Sequence, residues 1–364
     1  MSETTTTPTL PKWSLAVPPA AVLVLALSWG RDLGTILLVL VCLGVAGAVV
    51  GAVHHAEVVA HRVGEPFGTL ILAVAVTVIE VALIVTLMAS SEEGKAASLA
   101  RDTVFAAIMI TCNGIVGLAL LVGSLRHRVQ EFRAHASSGA LGVIAALVTL
   151  SLVVPAFTTS SPGPTFSGVQ LAFAGVVSLV LYGTFVFVQT IRHRDYFLPK
   201  NSTTDEDHAD APTNRTAYTS LGLLLVCLVA VVGLAKTVSP TLEAGVDAIG
   251  APVSFVGVVI ALLVLAPETA AAVRAALRDR LQVSLNLALG SALASIGLTI
   301  PAIAIASIFL TGPLVLGLDP KELVLLALTM VVSTLTLVQG RATLLQGVLH
   351  LTLFSSFVFL AIMP

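Results

Sequence analysis

The stretch FGTLILAVAVTVIEVALIVTLMAS, Phe67 to Ser90, is almost wholly apolar and holds one charged residue, Glu80, close to its middle. A helix needs about 20 apolar residues to cross the hydrocarbon layer of a bilayer, and this run is long enough. The chain around it is of the same kind. Of 364 residues, 57% are hydrophobic and 10% charged, against roughly 25% charged in water-soluble domains. The mean hydropathy is +1.02. An all-α integral membrane protein is expected. Membrane-spanning strands would alternate apolar and polar residues over about ten positions, whereas a helix satisfies all its backbone hydrogen bonds within one continuous apolar run.

Eleven candidate spans follow, at about Leu15–Trp29, Leu33–Val53, Phe67–Ser90, Thr103–Leu125, Gly139–Phe157, Val169–Ile191, Thr219–Val238, Pro252–Val273, Leu281–Leu310, Glu322–Val338 and Ala342–Met363. The first is short and carries Pro18 and Pro19; lacking a small-residue cleavage site, it reads as a helix and not a signal peptide. Pro301 is expected to kink or end the ninth. With alternating loops, thirteen basic residues fall on the side of the N-terminus and five (Arg31, Lys95, Arg101, Lys236 and Lys321) on the other. Cytoplasmic loops carry the excess of Lys and Arg, so the N-terminus is expected inside and the C-terminus outside a cytoplasmic membrane.

The polar stretch RHRDYFLPKNSTTDEDHADAPTNRTAY, Arg192 to Tyr218, divides the spans five and five from Leu33 onward. Its composition predicts a disordered cytoplasmic linker. Asp205, Glu206, Asp207 and Asp210 within it read as a solvated acidic run before a regulatory cation site. The expected organisation is an N-terminal tail and first span (1–32), a five-helix repeat (33–191), the acidic linker (192–218) and a second five-helix repeat (219–364).

Weak internal similarity supports the repeat. Glu80 in VTVIEVALIV and Glu268 in LVLAPETAAAV each lie on the second helix of their half. RDTVFAAIMITCNGIVG (Arg101 to Gly117) resembles RDRLQVSLNLALGSALA (Arg278 to Ala294), with Asn113-Gly114 opposite Gly290-Ser291. An odd number of helices per half inverts one against the other, the arrangement of secondary transporters with a site near the midplane.

An ionisable residue inside a span costs at least about 2.5 kcal/mol on insertion scales and usually faces a bundle interior or a water-filled path. Glu80 and Glu268 are therefore the first candidates for cation and proton binding. Pro267 removes a backbone donor and frees carbonyls near Leu263 and Val264, and such carbonyls persist in a membrane only where protein, water or an ion satisfies them. A carboxylate beside free carbonyls makes a hard oxygen site suited to Ca²⁺ or Na⁺. Thr77, in the same run as Glu80, Thr111 and Asn113 in the first half, and Ser284, Asn286, Ser291 and Ser295 in the second add small polar groups. Gly290 and Ala294 are expected to allow close helix packing.

Other features have weaker chemistry. His54, Glu57 and His61 fall on one helix face and are expected at the cytoplasmic entrance of the third span, as a proton relay or as a solvated cluster. His350, with Gln339 and Gln346 on its face, is a relay candidate or a packing group. Glu92, Glu93, Glu243 and Asp247 are expected in outer loops, where they attract cations or are plain loop charge. Cys42, Cys112 and Cys227 lie in apolar runs without metal-ligand spacing and read as core residues.

HHAEVVAHRVGEPFGTLILAVAVTVIEVALI (His54 to Ile84) and NLALGSALASIGLTIP (Asn286 to Pro301) resemble the repeats of the calcium/cation antiporter superfamily, in its bacterial Cha-type branch. The resemblance implies exchange of Ca²⁺, and in some members Na⁺ or K⁺, for H⁺, with Glu80 and Glu268 as the paired ion-binding acids. Related vacuolar exchangers carry Gly-Asn-Ala-Thr-Glu, whereas Val76–Glu80 reads Val-Thr-Val-Ile-Glu and Val264–Glu268 reads Val-Leu-Ala-Pro-Glu. The missing amides leave the choice between divalent and monovalent cation open.

The expectation is a proton-coupled antiporter needing no cofactor. Its partners would be membrane lipid and the transported cations and protons, with a homo-oligomer open. A net charge of −2 argues against nucleic acid. A cation channel with an acidic selectivity site and a Na⁺-coupled exchanger stay open, while the spans hold no convergent nucleophile, base or metal cluster to suggest an enzyme.

Overall fold

In the computed structural model, which describes residues 10–31, 33–64, 67–90, 97–197, 212–309 and 313–364, Pro18 and Pro19 do not break the first apolar run. Helix α1 spans Lys12–Ser28 with both prolines inside it. Proline lacks an N–H, so the Ser14 carbonyl one turn before Pro18 loses its helical donor. His55, fully buried, supplies the replacement: its Nε2 lies 2.9 Å from the Ser14 oxygen. A carbonyl only accepts, which puts the ring proton on Nε2.

Among the described residues, ten helices are long and apolar enough to cross a membrane, and α1 is a shorter apolar eleventh. They are α2 (Thr35–Val63), α3 (Phe67–Ser90), the span of α4 (Leu99–Met109) and α5 (Val116–His127), α6 (Ala134–Val148) with its irregular extension, and α7 (Gly168–Phe187). After the four-residue α8 (Arg194–Phe197) come α9 (Asn214–Ala248), α10 (Phe255–Leu277), α11 (Leu281–Ala306), α12 (Pro320–Leu337) and α13 (Leu344–Ile362). Two-residue strands β1 (Gln130–Glu131) and β2 (Arg341–Ala342) pair antiparallel and tie the starts of α6 and α13 together.

Packing divides the chain into two units, Met1–Thr86 with Thr203–Thr241, and Leu87–Ser202 with Leu242–Pro364. The first is built on a glycine seam. A Cβ on Gly44 or Gly51 of α2 would stand 3.4 Å or less from Val24 or Val17 of α1, and as close to Leu234 or Cys227 of α9. Small residues let backbones approach where the hydrophobic effect offers little between helices.

The second unit is built around the α4–α5 span, most of whose residues are buried. Helices α10, α11 and α13 pack on it, and α11 also packs on α6 and α7. Gly257 brings α10 against α4, since a Cβ there would meet the Thr103 nitrogen at 2.9 Å.

Several expected boundaries change. Helix α2 runs on to Val63, so His54, Glu57 and His61 occupy the end of the second helix and not the entrance of the third. Pro301 does not end α11, which continues to Ala306 with Pro301 against Gly175 of α7. Helix α9 passes through Pro240 to Ala248, so Glu243 and Asp247 lie on a helix and not in a loop. Lys236 Nζ sits 6.0 Å from the Trp29 ring centroid. The stretch expected to be a disordered linker is helical at Arg194–Phe197 and again from Asn214. Asp205, Glu206, Asp207, Asp210, Glu92 and Glu93 lie outside the described residues.

Candidate functional site

Thr77 and Glu80 share one stripe of α3 with Ile84 and Leu87, and all four are buried while Val74 and Val78 are exposed. Glu80 is 4% exposed. The acid thus occupies the packed face of a membrane-length helix, where a carboxylate is costly unless its charge is matched.

Glu268 is half-buried on α10, which passes Pro267 without interruption. The next residue turns its side chain to the helix backbone, Thr269 Oγ1 donating to the Leu265 oxygen at 2.7 Å. Helix α10 packs against α4, α5 and the turn that joins them.

That turn, Ile110–Ile115, is a π-helix, and it carries Thr111 and Asn113, both fully buried. A π-turn inserts a residue into the α-helical ladder, a distortion frequent at functional sites. Thr111 spends its hydroxyl on the Ala107 oxygen at 2.7 Å. Asn113 Nδ2 donates to Thr329 Oγ1 of α12 at 2.9 Å. Its Oδ1 lies 3.2 Å from His350 Nδ1 on α13, and His350 Nε2 lies 3.1 Å from Thr336 Oγ1. Close approach of α13 makes this possible. A Cβ on Gly117 would stand 3.0 Å from the Leu351 nitrogen, and one on Gly347 2.6 Å from the Leu121 nitrogen.

The remaining candidates lie on other elements. On α11, Ser284 and Ser295 are buried and Ser291 is half-buried. No described atom lies within 4 Å of where a Gly290 Cβ would stand, so the expected close packing at Gly290 is not found; it occurs at Gly297 against Tyr182. Asn286 donates to the Phe197 oxygen at 2.6 Å and accepts from Gln282 Nε2 at 2.8 Å, joining α11 to α8. Glu57 and His61 are exposed, and His54 packs its ring 4.8 Å from that of Trp13. Gln346 caps α13 through Thr343, and Gln339 is exposed.

Thr329 and Thr336 carry no sequence signal, since lone threonines in apolar helices ordinarily bond their own backbone. Arg101 and Asp102 were expected in a loop, yet both are buried in the first turn of α4. Arg101 Nε lies 2.8 Å from Asp102 Oδ1 and 4.0 Å from Glu322 Oε2, Nη2 lies 3.3 Å from Asp319 Oδ2, and Nη1 donates to the Gly317 oxygen at 3.0 Å. The signal was present in the repeated Arg-Asp pair, but hydropathy alone assigns charge to loops.

Membrane-length helices that bury a carboxylate, a carboxamide, an imidazole and hydroxyls define a polytopic transporter of ions or small polar solutes. Residues 33–191 and 219–363 match the family model of the sodium/calcium exchanger protein, and the chain belongs to that family, one of membrane transporters and not of enzymes. It is 48% identical over 362 residues to a putative ionic transporter of Sinorhizobium fredii, covering 98% of this chain and 97% of that one. With the sodium-potassium/proton antiporter ChaA of Escherichia coli it shares 33% identity over 352 residues, 95% of this chain and 94% of the relative. The fold matches that of native YfkE at a TM-score of 0.70, with 19% sequence identity, over 97% of this chain and 99% of that one.

Proposed function

We propose that the protein is a secondary active antiporter of the cytoplasmic membrane, exchanging cytoplasmic Ca²⁺, with Na⁺ and K⁺ as the other candidates, for external H⁺. One observation supports the proposal: Glu80 is buried on the membrane-length helix α3, and a second acid, Glu268, is half-buried on the membrane-length helix α10. The E. coli relative is a sodium-potassium/proton antiporter, and YfkE is a Ca²⁺/H⁺ antiporter; both kinds of name fit a carboxylate that trades a cation for protons. Asn113, Thr77, Ser291 and Ser295 are proposed as further oxygen ligands. Asn286, held by Phe197 and Gln282, is proposed to support α11.

Desolvation disfavours a charged carboxylate, so each acid is proposed to be neutralised either by the cation or by a proton. An empty, doubly charged pair is too costly to carry across the membrane, and this exclusion couples the two fluxes. One inverted half rocking against the other would give alternating access.

Everted vesicles acidified inside by respiration test the proposal. Added Ca²⁺, Na⁺ or K⁺, whichever is the substrate, should dissipate the pH gradient. Lowering the outer pH should raise the apparent KM for that cation while the maximal rate changes much less. Dissipation without any counter-cation would instead identify a channel, and Ca²⁺ movement driven by Na⁺ alone a Na⁺-coupled exchanger.

Orientation is a separate expectation. In a cysteine-free background, a cysteine placed between Lys200 and Asp210 should resist impermeant thiol reagents in intact cells and react in everted vesicles. Labelling from outside intact cells would reverse the proposed topology.

A further inference from the structure

The carboxamide of Asn113 is held at both ends by helices of the second half of the chain. Its Nδ2 donates to Thr329 Oγ1, and its Oδ1 faces His350 Nδ1. An amide oxygen only accepts, so Nδ1 carries the hydrogen, and Nε2 then accepts from the Thr336 hydroxyl 3.1 Å away. Asn113, Thr329 and His350 are fully buried and Thr336 nearly so. Met109 fills the remaining side, its sulfur 3.5 Å from Thr329 Oγ1 and 3.8 Å from Asn113 Nδ2.

The two ends of a carboxamide have the same shape and opposite chemistry: one binds a cation and the other repels it. A threonine hydroxyl donates or accepts and so does not choose between them. An imidazole N–H does choose, because it meets an oxygen favourably and an amide NH₂ unfavourably. Oδ1 has two lone pairs, and the bond to His350 uses one. We propose that His350 is a positioning residue, which fixes the orientation of the Asn113 carboxamide and keeps its second lone pair available to the transported cation. This rests on the proposed role of Asn113 as a cation ligand. It replaces the proton relay expected for His350, whose ring nitrogens are held by a carboxamide and a hydroxyl, groups that do not titrate near neutral pH.

The test is the cation dependence of exchange in everted vesicles, with Ca²⁺ and Na⁺ titrated in parallel against equal amounts of monodisperse transporter. Losing one orienting hydrogen bond should cost about fivefold to tenfold in affinity. His350→Ala should therefore raise the apparent KM by about that factor and alter kcat less than about twofold. His350→Asn retains an N–H near the position of Nδ1 and should restore most of the affinity. In an Asn113→Ala background, His350→Ala should have no further effect on KM.

A fall in kcat at unchanged KM would establish a relay and overturn the inference. Loss of thermal stability at unchanged KM in the folded fraction would overturn it in favour of packing. If Asn113→Ala raises KM and His350→Ala does not, positioning fails while the ligand role stands. If Asn113→Ala itself leaves KM unchanged, the ligand role fails and the inference falls with it.

Discussion

Glu80→Gln and Glu268→Gln should each lower exchange by at least about 30-fold, the lower end of what losing one partner of a buried charge pair costs. Glutamine keeps the shape of the side chain and removes both the charge and the titrating oxygen. Each variant should still insert and purify as a monodisperse protein, since neutralising a buried acid relieves desolvation. Glu80→Asp and Glu268→Asp should retain measurable exchange with weaker cation affinity, because the shorter carboxylate must draw its helix toward the ion. The initial rate of gradient dissipation in everted vesicles is the readout. Normal exchange by either glutamine variant would sink the role of the two acids. The effect expected at Glu80 follows from its place on the buried stripe of α3 with Thr77, Ile84 and Leu87.

Arg101→Ala should destabilise the protein by about 3–5 kcal/mol, the cost of leaving a buried charge without its partner. The guanidinium reaches Asp102, Asp319 and Glu322 together and also donates to the Gly317 carbonyl. Asp102 has little else to hold its charge besides the Ser98 hydroxyl, which donates to Oδ2 at 2.8 Å. Removing Arg101 leaves that carboxylate buried, with two more acids close by. Arg101→Lys should recover part of the loss, because an ammonium keeps the charge without the planar fork that serves several acceptors at once. Thermal unfolding in detergent, followed by loss of the monodisperse peak, measures both. An unchanged transition in Arg101→Ala would show that the cluster is neutral for stability. The cluster joins the start of α4, which leads into the π-turn that carries Asn113, to the start of α12, which carries Thr329. Loosening it is therefore expected to weaken cation affinity in the molecules that remain folded.

Much of this was legible in one dimension. Continuous apolar runs of membrane length predicted the helices, because a segment in lipid must satisfy its own backbone and only its own residues bear on that. Glu80, Glu268 and Asn113 stood out for the same reason, being expensive residues in spans whose composition is otherwise uniform. The resemblance of the two halves to the antiporter repeats was carried by residues close together in the chain, and the family match covers the same halves.

What the chain could not show by itself were interactions between residues far apart. Arg101 and Asp102 read as loop charge, since hydropathy has no means of finding Asp319 and Glu322 more than two hundred positions away. The run holding Pro18 read as a helix, but the donor that repairs its lost hydrogen bond could not be read there, being His55, 41 residues from Ser14 on another helix. His350 read as a relay candidate or a packing group beside Gln339 and Gln346 until α13 crossed α5 at Gly117 and Gly347 and brought it to Asn113, 237 residues distant. Hydropathy and helix length are local sums over neighbouring residues, and they determined the class of protein and its spans. The matching of buried polar groups is a pairwise condition in three dimensions, and only the tertiary structure decided it.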